Sequence, residues 1–120
     1  MAECRLGEIE MKFAEIIWRM EPVQSGELAK VAEKELGWKK STTYTILHRV
    51  CDRGLFKNEN GMVTSVVSKE EFLAKQSEKF VEETFAGSLP KFLAAFTSHN
   101  KMSEKEIREI MAIIKQNGEE

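Results

Sequence analysis

Cysteine and histidine are scarce in this chain of 120 residues, long apolar runs are missing, and each absence removes a class of function. Cys4 and Cys51 are too few and too scattered for a disulfide framework or a zinc site. His48 and His99 lie far apart in sequence and read as surface residues rather than bases. No nucleophile motif, phosphate-binding loop or metal-ligand spacing accompanies them, so an enzyme is the weakest reading and no cofactor is expected. Apolar runs extend only a few residues, which rules out a membrane span. The opening Met-Ala-Glu-Cys-Arg-Leu has no apolar signal core, so a reducing cytoplasm is the expected compartment. Apolar residues make up 42% and charged residues 32%, an ordinary globular balance. The length suits one compact domain, or a small domain with a helical appendage.

What is present is a sequence of short amphipathic segments. Leu6, Ile9, Phe13, Ile16, Ile17 and Met20 recur at spacings of three and four and predict a helix over 6–20 that Pro22 ends. Val23 fits a very short strand. Ser25 then caps a second helix whose inward residues are Leu28, Val31, Ala32 and Leu36, with a stop at Gly37. A third helix begins near Lys40 and stops at Gly54. Leu55 and Phe56 start an extended segment, Asn60-Gly61 is a two-residue hairpin signal, and Met62 to Val67 reads as the returning strand. Three short helices followed by a hairpin make a winged helix-turn-helix, in which the third helix enters a DNA major groove.

The third helix, over 39–53, has two faces. Thr43, Ile46, Leu47, Val50 and Cys51 form a largely apolar one, with Cys51 expected as a buried thiol. Ser41, Thr42, Tyr44, Thr45, His48, Arg49 and Asp52 form the other, where a solvated face would carry mostly Glu and Lys. Such short hydrogen-bonding side chains can reach base edges and phosphates. From Lys39 to Lys57 the cations Lys39, Lys40, Arg49, Arg53 and Lys57 stand against Asp52 alone, a local charge of +4. The rest of the chain therefore carries −6 of the total of −2. An acidic protein with positive charge gathered at one helix presents a local field to a polyanion. The expected partner is double-stranded DNA, met by Lys39, Lys40, Ser41, Thr42, Tyr44, Thr45, His48, Arg49, Arg53 and Lys57. The hairpin tip has little net positive charge and reads as structural, any contact coming from backbone amides, Asn58 or Asn60. Trp18 reads as core. Trp38 serves equally well as a staple under the helix start or as a contact to the DNA backbone. The alternative function is a winged-helix interaction module that docks a protein partner by the same face; clustered charge and hydroxyls favour nucleic acid over it.

After Ser68 the character changes. Ser68-Lys-Glu-Glu71 and Ser103-Glu-Lys-Glu106 are capping boxes that open helices over about 68–86 and 103–117. Ser88 caps a short helix between them, with Leu89, Phe92, Leu93 and Phe96 in one stripe; Ile107, Ile110, Met111 and Ile114 repeat that stripe. Three helices of this size sit near the lower limit for an independent core. Packing back onto the first domain is one solution. The preferred one is a homodimer in which Phe72, Phe80, Phe85, Leu89, Phe92, Leu93, Phe96 and the 107–114 stripe are completed by a second copy. The chain thus divides into a winged-helix DNA-binding domain over 1–68 and a helical dimerisation region over 69–120, a mainly α protein with a small β-hairpin.

These residues together resemble the BlaI/MecI/CopY family of bacterial transcriptional repressors, which includes the penicillinase repressors. The likeness is carried by Leu6-Gly-Glu-Ile-Glu10 leading to Ile16-Ile-Trp18, by Thr42-Thr-Tyr-Thr45 with Leu47 and Arg49, and by Gly54-Leu55. Phe85-Ala86-Gly87-Ser88-Leu89 with Leu93 and Phe96 extends it through the tail. The resemblance implies a homodimeric repressor on a dyad-symmetric operator, with base and phosphate contacts at Ser41, Thr42, Tyr44, Thr45 and Arg49 and the dimer interface in the C-terminal helices. It also implies release by a signal that weakens the dimer, with a regulatory protease or sensor system cutting within 88–97. Two departures stand out. No cysteine follows Cys51, where copper-responsive members carry a Cys-rich motif. Phe96 follows Ala95, where penicillinase repressors are cut between Asn and Phe.

Overall fold

A computed structural model describes residues 6–118, so Cys4 lies outside the described residues. The element order is α1 (Glu8–Met20), β1 (Val23–Gln24), α2 (Ser25–Leu36), α3 (Lys40–Asp52), β2 (Phe56–Glu59), β3 (Met62–Ser65), α4 (Lys69–Phe85), α5 (Leu89–His99) and α6 (Glu104–Asn117). The chain divides into two compact units, one ending at Lys79 and the other beginning at Phe80. The division between the units falls inside α4, whose first turn brings Phe72 into the first core.

In the first unit the helix periodicity is satisfied by burial. Phe13, Ala14, Ile16 and Ile17 of α1 meet Leu28 and Ala32 of α2, and Ile46, Leu47 and Val50 of α3. Ile9, grouped with that stripe in the sequence, is instead 59% exposed, since the inward face of α1 runs through Glu10 and Phe13 rather than Ile9. Ser25 is the first residue of α2 and makes no side-chain cap; its N–H instead donates to the Gly61 carbonyl at 2.7 Å, joining the helix start to the hairpin turn. The three strands form an antiparallel sheet in the order β1-β3-β2. Glu59 pairs with Met62, so Asn60 and Gly61 alone make the turn, both with positive φ (53° and 90°). That is the primed turn whose twist suits a hairpin, and a Cβ at Gly61 would be strained there.

Phe72 corrects the sequence reading most clearly. Its spacing places it among the residues expected to meet a second copy, yet it is 1% exposed and its ring lies 5.6 Å from that of Trp18. Trp18 also meets Phe56 at 5.2 Å and donates from Nε1 to the Val67 carbonyl at 3.0 Å. The first turn of α4 thus closes the core of the winged unit, held in place by the reciprocal cap of Ser68 and Glu71.

The second unit is built differently. Ser88 accepts from the Lys91 N–H, and Ser103 and Glu106 cap α6 reciprocally, as their spacing predicts. Phe80, Phe85, Phe92 and Phe96 form a chain of ring contacts with centroids 5.6–6.1 Å apart. Even so, no described residue from 80 onward is buried, and Phe80 and Met111 remain about half exposed.

Candidate nucleic-acid interface

Two elements hold α3 from behind. Gly37, left-handed at φ 70°, closes α2 and donates to the Glu33 carbonyl, turning the chain toward α3. Trp38 then lays its ring 5.2 Å from Phe13, so it serves as the staple under the helix start. At the far end Arg53 Nη1 lies 2.9 Å from Glu10 Oε1, in a pair whose side chains are only 31% and 12% exposed. The same Glu10 oxygen accepts the Gly7 N–H at 3.1 Å. That amide chiefly, with the Arg53 guanidinium and against the effect of burial, holds the Glu10 carboxyl below its ordinary range. Glu10 Oε2 is buried with no hydrogen-bond partner. Between these ends Thr43, Ile46, Leu47 and Val50 are buried, so the opposite face of α3 must turn outward.

That outward face carries Ser41, Thr42, Tyr44, Thr45, His48, Arg49 and Asp52, all exposed. The Thr45 hydroxyl donates to the Ser41 carbonyl at 3.0 Å, which leaves its lone pairs outward. Lys40 Nζ stands 5.9 Å from the Tyr44 ring centroid, a cation–π contact that keeps ring and charge on one edge of the face. His48 Nε2 lies 3.3 Å from Asp52 Oδ2. Lys39 and Lys40 are exposed at the start of a helix that has no acidic residue in its first turn. The helix N-terminus is itself positive, so the fold gains nothing by adding lysines there; an external anion would meet all three charges together.

Two of the assigned cations have acidic partners within the chain. Arg53 is engaged by Glu10, a pair that anchors the end of α3. Lys57 lies 3.1 Å from Glu59 on the hairpin, which offsets its charge. Asn58 uses its Oδ1 to accept the Gly61 N–H at 2.9 Å, so that oxygen serves the turn. Cys51 is half-buried rather than fully buried, and burial pushes its thiol pKa up, away from reactive thiolate chemistry. Sequence reasoning missed Glu10, although a carboxylate one turn before the buried Phe13 on an inward helix face was the available signal.

Among the described residues, no group of three His, Cys, Asp or Glu could hold a metal ion, and no helix is long and apolar enough to cross a membrane. Helix-turn-helix, flanking hairpin and three further helices define the chain as a winged-helix DNA-binding regulator. The sequence profile described as "Penicillinase repressor" matches residues 6–116, and the chain belongs to that family, whose members are DNA-binding transcriptional repressors and not enzymes. It is similar to the penicillinase repressor of Bacillus licheniformis, with 22% identity over 116 residues, covering 93% of this chain and 91% of that one.

Proposed function

We propose that this repressor acts as a homodimer, placing α3 of each chain in the major groove of a dyad-symmetric operator. The observation that carries the reading is the outward face of α3, where exposed hydroxyls, Tyr44 and Arg49 stand beside the exposed Lys39 and Lys40 in an otherwise acidic chain. Side chains of this set suit phosphates at the edges of the face and base edges along its centre. Dimerisation is supported by the second unit, in which Phe96, Ile107, Met111 and Ile114 are 40–51% exposed. A second copy would take that surface out of water.

Release follows from weakening the dimer. Separating the chains removes the gain of binding two half-sites together, worth a factor of about 10² or more. A regulatory protease or sensor-triggered cut at Ala95–Phe96 in α5 would do this irreversibly; both residues are exposed. The test is selection of duplex DNA by the purified protein, followed by affinity against salt. Arg49→Ala should weaken binding to every sequence and lower the salt slope by about one counterion. Tyr44→Ala and Thr42→Ala should alter base preference, at about 1–3 kcal/mol per lost contact. Operator binding untouched by Arg49→Ala and Tyr44→Ala would overturn the assignment of α3. Recovery of an uncut chain from fully induced cells would reject the proteolytic route.

A further inference from the structure

Asp52 is the one carboxylate of α3. It is the last residue of the helix, where the carbonyl end repels an anion. It is 69% exposed on the face that the proposed function turns toward phosphates. Its partner is His48, itself 80% exposed and 3.3 Å away, and an exposed contact of this kind adds little stability. The neighbouring Arg53 is held by Glu10. A carboxylate exposed at a helix C-terminus on this face, with so little return from His48, points to a ligand group that an anion would meet well.

Its position says which group. Ser41, Thr45, His48 and Asp52 follow one line along α3 at i, i+4, i+7 and i+11, all of them exposed. At 1.5 Å per residue that line runs about 16 Å, the rise of roughly five base pairs. A carboxylate on this line is repelled by phosphates, by guanine N7 and O6, and by thymine O4. Adenine offers an amino group but sets N7 beside it. Cytosine offers its N4 amino group with no acceptor on the same edge. We propose that Asp52 is a specificity-determining residue that accepts a hydrogen bond from a cytosine N4 in each half-site. His48, donating from Nε2, is the positioning residue that holds the carboxylate toward the groove. The inference rests on α3 being the reading helix.

The test is selection of duplexes from a random pool by the full chain and by its Asp52→Ala and His48→Gln variants. Affinities are then measured for the selected site and for the same site with the cytosine pair changed to T·A. Wild type should prefer C·G at one symmetric position per half-site by about tenfold to a hundredfold. Asp52→Ala should lose the preference at that position alone, while unrelated duplex is bound as tightly or more tightly. His48→Gln should reduce the same preference with an unchanged thermal midpoint, a pattern that a purely structural role would not produce. If wild type and Asp52→Ala select the same site and differ only by a uniform gain in affinity, the inference is wrong while α3 remains the reader. A wild type that selects no sequence at all overturns the proposed function and this inference together.

Discussion

Truncating Phe72 to alanine separates two roles for the start of α4, because its ring serves either the winged core or an interface between chains. The ring is 1% exposed and packs against Trp18, which in turn packs against Phe56 of the sheet. Removing a phenyl group from such a site costs about 3–5 kcal/mol, through lost burial and the cavity left behind. In a unit of this size each kcal/mol lowers the midpoint by about 4–8 °C, so Phe72→Ala should fall by at least about 12 °C. Trp18 and Trp38 both belong to the first unit, so urea unfolding of the full chain can be followed by their fluorescence. The loss should be the same at every protein concentration. A residue buried between chains behaves otherwise, since its cost shrinks as mass action restores the dimer. A Phe72→Ala chain with the wild-type midpoint in dilute solution, impaired only in association, would refute the placement of Phe72 in the core.

Glu10→Gln should lower stability at neutral pH by about 1.5–3 kcal/mol, since it removes the charge that Arg53 and the Gly7 amide meet. The folded pKa of Glu10 is depressed below its ordinary 4.5, so its contribution is present above that value and lost as pH falls through the lowered one. Unfolding midpoints measured from pH 7 down to pH 3 should therefore show a flatter acid limb for Glu10→Gln than for wild type. Ile110→Asp, which sets a charge in the apolar stripe of α6, should run as a monomer in sedimentation while keeping the wild-type near-ultraviolet spectrum of the tryptophans. Gly61→Ala should lower the urea midpoint by the equivalent of about 1–2 kcal/mol, the cost of a Cβ at a φ of +90°.

Local signals in the sequence reached as far as local physics extends. Capping boxes at Ser68 and Ser103, the cap at Ser88, the stop at Gly37 and the Asn60-Gly61 turn all involve partners within four residues, and each stands where its spacing put it. The outward face of α3 was legible for the same reason, since helical period alone separates it from Ile46, Leu47 and Val50. Long-range partners were not legible. Arg53 reads as one more cation of a basic segment until Glu10, 43 residues earlier in the chain, is seen beside it. Phe72 lies on an apolar stripe, and a stripe states that a side chain needs cover without saying which surface supplies it. Ile9 failed in the opposite sense, as an apolar residue at the right spacing near a helix end that is left 59% exposed.

The two units differ in how far each closes on itself, and that difference bears on the proposed mechanism. Winged-unit side chains such as Phe13, Phe56 and Phe72 are at most 2% exposed, whereas the second unit leaves rings and isoleucines about half exposed. A small fold that buries its own core is stable alone, but half-covered apolar helices draw stability from whatever covers them. In the proposed dimer the DNA-reading surface would therefore stay folded while association is adjusted through the second unit. Under that reading one winged unit would bring mainly Lys39, Lys40 and Arg49 to the phosphates, since Arg53 and Lys57 have acidic partners within the chain. Tight operator binding would then depend on two units held at high effective concentration. A modest change in the stability of α5 or α6 would be multiplied into a large change in operator occupancy, without any alteration of α3 itself.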